Sequence, residues 1–222
     1  MMHKFKLGLG AAALILALPM LQGCIPAVIA TGAAAGVMSA HDRRSTGTQT
    51  DDETTEWKAA QAVPEKYKAL AHINYTAYNR RVLITGEVSS EEAKAIVGEQ
   101  TGKLEGVREV FNELAIAPAS ALGNRSNDAY ITSKLKARLV DSNQLSANHI
   151  KVVTEAGIAY LMGIVTEREA KVAVAIARTT DGVRKVVNVM EVVSDADVRR
   201  IDSSAPGGAR TAPAQTAPVE TR

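Results

Sequence analysis

One segment of the sequence occurs twice, and this constrains the fold more than any other feature of the chain. Setting Gly86 against Gly163 aligns both flanks. Upstream, His72-Ile73 faces His149-Ile150; downstream, Val88, Glu92, Ala93, Lys94 and Val97 recur as Val165, Glu169, Ala170, Lys171 and Val174. After a slip of one residue, Gly106-Val107-Arg108, Val110 and Asn112 recur as Gly182-Val183-Arg184, Val186 and Asn188. Whatever the unit is, the chain builds it twice.

Each copy reads as helix, strand, strand, helix, strand. In the second, Asp128 reads as an N-cap ahead of Ile131, Leu135 and Leu139, an apolar stripe at i, i+4, i+8 suited to packing on a sheet. The first copy offers Asp52 and then Thr55, Ala59 and Val63, a weaker stripe. Strand-like runs Ile73 to Ala77 and Val82 to Val88 are joined by Tyr78-Asn79-Arg80-Arg81, and Ile150 to Thr154 and Ile158 to Val165 are joined through Gly157; both pairs read as hairpins. Ser89-Ser90-Glu91-Glu92 and Thr166-Glu167-Arg168-Glu169 read as capping boxes that start the second helix of each copy. The alternating runs Val107 to Ala115 and Val183 to Val193 supply a third strand. The expected fold class is α+β: two tandem α-β-β-α-β modules, each a three-stranded sheet covered by two helices.

Paired modules of this order, with a glycine late in the second strand, a capped second helix and Gly-Val-Arg-x-Val-x-Asn leading into the last strand, resemble BON domains. Ser45-Thr46-Gly47-Thr48-Gln49, Ile73-Asn74-Tyr75-Thr76-Ala77-Tyr78, Ser126-Asn127-Asp128 and Leu161-Met162-Gly163-Ile164-Val165-Thr166-Glu167-Arg168-Glu169-Ala170-Lys171 are similar to the dual-BON outer-membrane lipoproteins. The likeness runs from about Cys24 to Val193. It departs in the Pro/Ala/Thr tail and in a shortened segment around Pro64. The resemblance implies binding rather than catalysis: anionic phospholipid, phosphatidylglycerol-like, held through the second module, with links to envelope integrity and to the outer-membrane β-barrel assembly machinery.

The first residues carry a separate message. Lys4 and Lys6 form a basic n-region and Leu7 to Met20 an apolar run, followed at once by Leu21-Gln22-Gly23-Cys24. That order reads as a signal peptide over 1–23, ended by a segment similar to the bacterial lipobox, so Cys24 is the expected site of lipid attachment; a plain secretory signal with an incidental cysteine is the other reading. Three acyl chains would exceed what stable membrane attachment requires. Ile25 in place of an aspartate favours the periplasmic face of the outer membrane, by resemblance to lipoprotein sorting. The boundaries that follow are a lipidated tether over 24–50, a first BON domain over 51–117, a second over 126–194, and a disordered tail over 203–222 that carries Pro206, Pro213 and Pro218.

Composition narrows the chemistry. The chain has 26 Lys+Arg and 24 Asp+Glu, and loss of residues 1–23 removes Lys4 and Lys6 and leaves the two signs equal. No net field steers the molecule to a polyanion, so nucleic acid is excluded as a partner. A single Cys and 4 His argue against any multi-thiolate site and against a metalloenzyme. No Gly-x-Ser-x-Gly elbow and no phosphate-cradling loop is present. His72 and His149 recur at equivalent strand positions, which suggests an inherited structural role. Neither cofactor, metal nor catalytic residue is expected, and the protein reads as a non-enzyme.

The proposed lipid contact lies on the helix after Asp128. If Ile131, Leu135 and Leu139 face inward, Tyr130, Lys134 and Lys136 face mostly away from them, with Arg138 at the flank. An outward aromatic beside cations suits an anionic interface, where the ring sits at headgroup depth and each cation gains about 1 kcal/mol. By the resemblance, Tyr130 occupies an aromatic lipid-contact position. The other reading is a solvated face with the tyrosine packed on a loop. On the equivalent helix of the first copy, Asp52, Glu53 and Glu56 disfavour anionic lipid, and Trp57 either covers the second module or faces a partner protein. A protein-interaction adaptor is the alternative function.

Overall fold

The computed structural model describes residues 42–68 and 71–204; Cys24, the signal segment and residues 205–222 of the expected tail lie outside them. The first helix, α1 (Thr46–Ala62), starts earlier than the sequence pattern suggests, because the Ser45 hydroxyl accepts from the Thr48 amide and caps it. Residues 46–50 are therefore helix rather than tether. A short helix α2 (Glu65–Lys68) follows the break at Pro64.

Strands β1 (His72–Tyr78) and β2 (Arg81–Val88) pair antiparallel from Tyr78↔Arg81 to His72↔Glu87. Between them Asn79 and Arg80 both have positive φ, at 52° and 66°, the combination of a two-residue hairpin turn that matches strand twist. Arg80 is an uncomfortable residue for that conformation. Asp52 offsets the strain: it is buried within α1, and its two carboxylate oxygens accept from the Asn79 and Arg80 amides at 2.7 and 2.9 Å. The second module repeats the device. Strands β5 (Ile150–Glu155) and β6 (Ile158–Val165) turn through Ala156 and Gly157, at φ 48° and 71°, whose amides donate to Asp128 at 2.9 and 2.8 Å. Asp52 and Asp128 are thus not N-caps. The helix around Asp128, α4 (Leu122–Asp141), begins six residues before it.

After β2, the helix α3 (Glu91–Gly102) is capped by Ser90, whose hydroxyl accepts from the Ala93 amide. The expected box with Glu92 does not form there; Glu92 instead accepts from the Tyr67 hydroxyl at 2.6 Å. In the second module the box does form, Thr166 with Glu169, at the start of α5 (Glu167–Arg178). Each third strand is split in two: β3 (Glu109–Asn112) and β4 (Ala115–Ile116), then β7 (Lys185–Asn188) and β8 (Glu191–Val192), all parallel to the central strand of their module. The repeated asparagines cause the break. Asn112 and Asn188 side chains accept from the Leu114 and Met190 amides, and the kink turns those two apolar side chains into the cores. Gly86 and Gly163, the residues on which the two copies align, are where β1 and β5 approach closest: a Cβ would lie 1.9 Å from the His72 carbonyl oxygen and 2.3 Å from that of His149.

Each sheet has its helices on one face. Val82, Ile84, Val88, Ala93, Val97 and Leu114 form one core, and Leu135, Leu139, Ala159, Leu161, Val165 and Ala173 form the other. The opposite faces of the two sheets meet. Tyr78 and Leu83 from the first module pack with Tyr160, Met162, Ile164 and Val189 from the second, and Phe111 and Val187 border them. The layers are thus helix, sheet, sheet, helix within one compact unit. A sixth helix, α6 (Asp195–Ser204), carries the chain past the second module, so residues 203 and 204 are helical rather than tail. Its Val198 is buried.

Candidate functional site

The helix α4 places the expected lipid-contact residues on the surface, but not as one cationic cluster. Its buried stripe is Asp128, Ile131, Leu135 and Leu139. Opposite lie Ser126, Tyr130, Ser133 and Ala137, all exposed, with Tyr130 at 63%. At 100° per residue, Lys134 and Lys136 border this strip on opposite sides. Lys134 is engaged: its ammonium binds the Asp181 carboxylate at 2.8 Å and sits 4.9 Å from the centre of the Tyr130 ring. That pairing raises the Lys134 ammonium and lowers the Asp181 carboxyl. Asp181 also offsets the charge of Lys134.

Arg138 is turned away from the surface strip. Its guanidinium donates to the Ile176 carbonyl and to the Thr180 and Thr179 hydroxyls, closing the C-terminal end of α5. Lys136 is exposed and makes no ion pair among the described residues. The structure adds what the sequence reading missed: Leu122 and Val140 on the same helix are 72% and 61% exposed. Both are apolar residues outside the i, i+4 stripe, and that position was the signal the sequence offered. Trp57 projects from α1 at 67% exposed, so it does not cover the second module. Among the described residues no helix is long and apolar enough to cross a membrane.

The seam between the sheets carries a buried charged cluster at each end. At one end, the buried Arg43 binds both carboxylate oxygens of Glu169 at 2.8 and 3.0 Å, the Ile164 carbonyl at 2.8 Å and Asp202 at 3.0 Å. Burial pushes the Glu169 carboxyl up, but the Arg43 guanidinium and the Thr166 amide outweigh it and hold the group at about 2. Burial, reinforced by Arg43, lowers His149, whose buried Nδ1 has no hydrogen-bond partner. At the other end, His72 Nδ1 lies 3.2 Å from Glu87 and 3.8 Å from Glu155. Burial raises the Glu155 carboxyl despite the hydrogen bond from Asn74. Neither cluster was visible in the sequence, since the first joins the segment before module one to the second module and to α6, and the second joins the two modules.

Comparison with known proteins gives these features a setting. The BON domain family matches twice, at residues 51–118 and 127–194. The chain is 39% identical over 173 residues to the outer membrane lipoprotein DolP of Haemophilus influenzae, covering 77% of this chain and 89% of that protein. It is 34% identical over 154 residues to a 21 kDa hemolysin of Actinobacillus pleuropneumoniae, covering 68% and 79%. A more distant likeness, 30% over 112 residues, is to the osmotically-inducible protein Y of Escherichia coli, covering 50% and 53%.

Proposed function

The chain belongs to the BON domain family as a dual-BON, DolP-like protein, and from that premise we propose that it is a non-enzymatic outer-membrane lipoprotein. Cys24 holds it to the periplasmic face through its acyl chains, and its second BON module makes a reversible contact with anionic phospholipid that supports envelope integrity. The observation that carries this reading is the exposed strip of α4: a 63% exposed tyrosine braced by Lys134, with exposed Leu122, Val140 and Lys136 along one helix. An aromatic ring of amphipathic character and short apolar side chains enter the headgroup region, while flanking cations meet the phosphates. Because the anchor confines the module to the surface, even a weak contact is occupied often.

The test is co-sedimentation of protein lacking the acyl anchor with phosphatidylglycerol-containing and neutral vesicles at two salt concentrations. Binding to the anionic vesicles alone, weakening as ionic strength passes about 0.15 M where the Debye length is about 8 Å, supports the reading. Equal binding to neutral vesicles, or none to either, overturns it. A second reading has its own observation. Trp57, exposed beside Glu53 one turn away on α1, is suited to a basic partner protein such as a component of outer-membrane assembly.

A further inference from the structure

The two ends of the seam are related by the internal duplication, and they are unequally neutralised. Tyr78 and Glu155 hold the same position in the two modules, as do His72 and His149. Across the seam, Tyr78 reaches the His149 end and Glu155 reaches the His72 end. At the His149 end the carboxylates are met by a buried cation, the Arg43 guanidinium. At the His72 end stand Glu87 and Glu155, 6% and 7% exposed, and among the described residues no lysine or arginine pairs with either. Arg125 lines the adjoining cleft without bonding to them. Two buried carboxylates facing one imidazole leave an excess of negative charge, which is costly in a low-dielectric site.

We propose that a divalent metal ion, of which Zn²⁺ is the best fit, binds here and takes the place that Arg43 takes at the opposite end. The ligands are His72 Nδ1, one oxygen of Glu87 and one of Glu155, which all lie within 4.8 Å of one another. Tetrahedral zinc with bonds of about 2.1 Å sets neighbouring ligand atoms roughly 3.4 Å apart, and the nitrogen already stands 3.2 and 3.8 Å from the two carboxylates. One imidazole with two carboxylates is a borderline-to-hard donor set, suited to Zn²⁺ over softer metals. The surrounding groups orient the ligands: the Ser120 amide donates to Glu87 at 3.1 Å and the Asn74 amide to Glu155 at 2.9 Å. A cleft of about 430 Å³ bordered by His72, Thr132, Thr154 and Glu155 opens on the site, giving the ion a path and a water the fourth position. Coordination needs the Nδ1 lone pair, so the ring proton resides on Nε2, while Asn74 keeps its donation to the outer oxygen of Glu155. The ion would tie a module-one strand pair to a module-two hairpin. Short-range sequence spacing does not reveal it, because the third ligand comes from the other copy.

The full chain, stripped with a chelator, is titrated with Zn²⁺ by calorimetry, with Co²⁺ absorption as a second readout. Expected are one-to-one uptake, cobalt bands of a four-coordinate N/O site and a higher melting temperature with Zn²⁺. Glu155→Gln and His72→Ala should each weaken uptake about tenfold or more, whereas His149→Ala leaves it unchanged. Mg²⁺ in excess should not compete. Failure of the unaltered chain to take up Zn²⁺ at micromolar concentration overturns the proposal without recourse to any variant. So does uptake that survives in a folded Glu155→Gln chain.

Discussion

Tyr78 and Glu155 occupy the same place in the two copies and cross the seam in opposite directions. The Tyr78 hydroxyl donates to the His149 carbonyl at 3.4 Å, and the Glu155 carboxylate accepts from Asn74 at 2.9 Å. One repeated position thus serves as a hydrogen-bond donor in one module and as a charged acceptor in the other. The pseudo-symmetry brings the two sheets together, and the substitution of acid for phenol makes the two ends chemically different.

The contribution of the seam can be measured at Leu83, which is fully buried and points away from its own helices. Leu83→Ala should destabilise the protein by about 2–5 kcal/mol, the range for a buried leucine that leaves a cavity. Urea unfolding followed by circular dichroism should show a single transition shifted to lower midpoint. A loss under about 1 kcal/mol would mean that the sheets do not depend on each other.

Asp128 holds a turn rather than a helix end. Its two hydrogen bonds to the Ala156 and Gly157 amides involve a charged acceptor, so Asp128→Ala should cost about 2–4 kcal/mol. Asp128→Asn keeps one acceptor oxygen and should lose about half as much. If both variants melted within a degree of the parent, the turn would not need the carboxylate.

Acid should weaken the Arg43 end of the seam in two stages. His149 is held below its ordinary 6.5 by burial, so the unfolded chain takes up the proton first and stability declines as pH falls below about 6.5. The Glu169 carboxyl sits at about 2 in the folded protein against an ordinary 4.5. Its contribution is complete above 4.5 and is lost as pH falls from there toward 2. Thermal melts from pH 7.5 to 3 should trace both stages, and His149→Gln should flatten the first. Arg43→Ala should move the second toward higher pH; an unmoved profile would contradict the pairing.

Charge changes on α4 should act unequally on vesicle binding. Tyr130→Glu should abolish it with the fold intact. Lys136 has no ion-pair partner among the described residues, and Lys136→Gln should weaken binding about fivefold, the equivalent of about 1 kcal/mol at an anionic surface. Lys134→Gln should do less, because Asp181 already offsets that charge. Asp181→Asn should tighten binding. Co-sedimentation across the four variants checks the order, and equal losses at Lys134 and Lys136 would argue against the geometry of the strip.

The sequence alone determined the repeat, the α-β-β-α-β order, the inward stripe Ile131, Leu135, Leu139 and the capping box at Thr166, because each depends on neighbours within a few residues. Asp52 and Asp128 read as N-caps from their neighbours alone, yet hold hairpin turns, for a physical reason. A short carboxylate satisfies a helix end or a turn equally well, and only the arrival of the hairpin decides between them. The runs Val82 to Val88 and Ile158 to Val165 are apolar almost throughout, so their periodicity does not say which face meets helices and which meets another sheet. That was settled by the packing of the two modules, which buries Leu83, Tyr160 and Met162 against one another. The same packing gathers Arg43 with Glu169, and His72 with Glu155, from segments more than eighty residues apart. Local chemistry wrote the modules; the burial of their second faces made one protein of them.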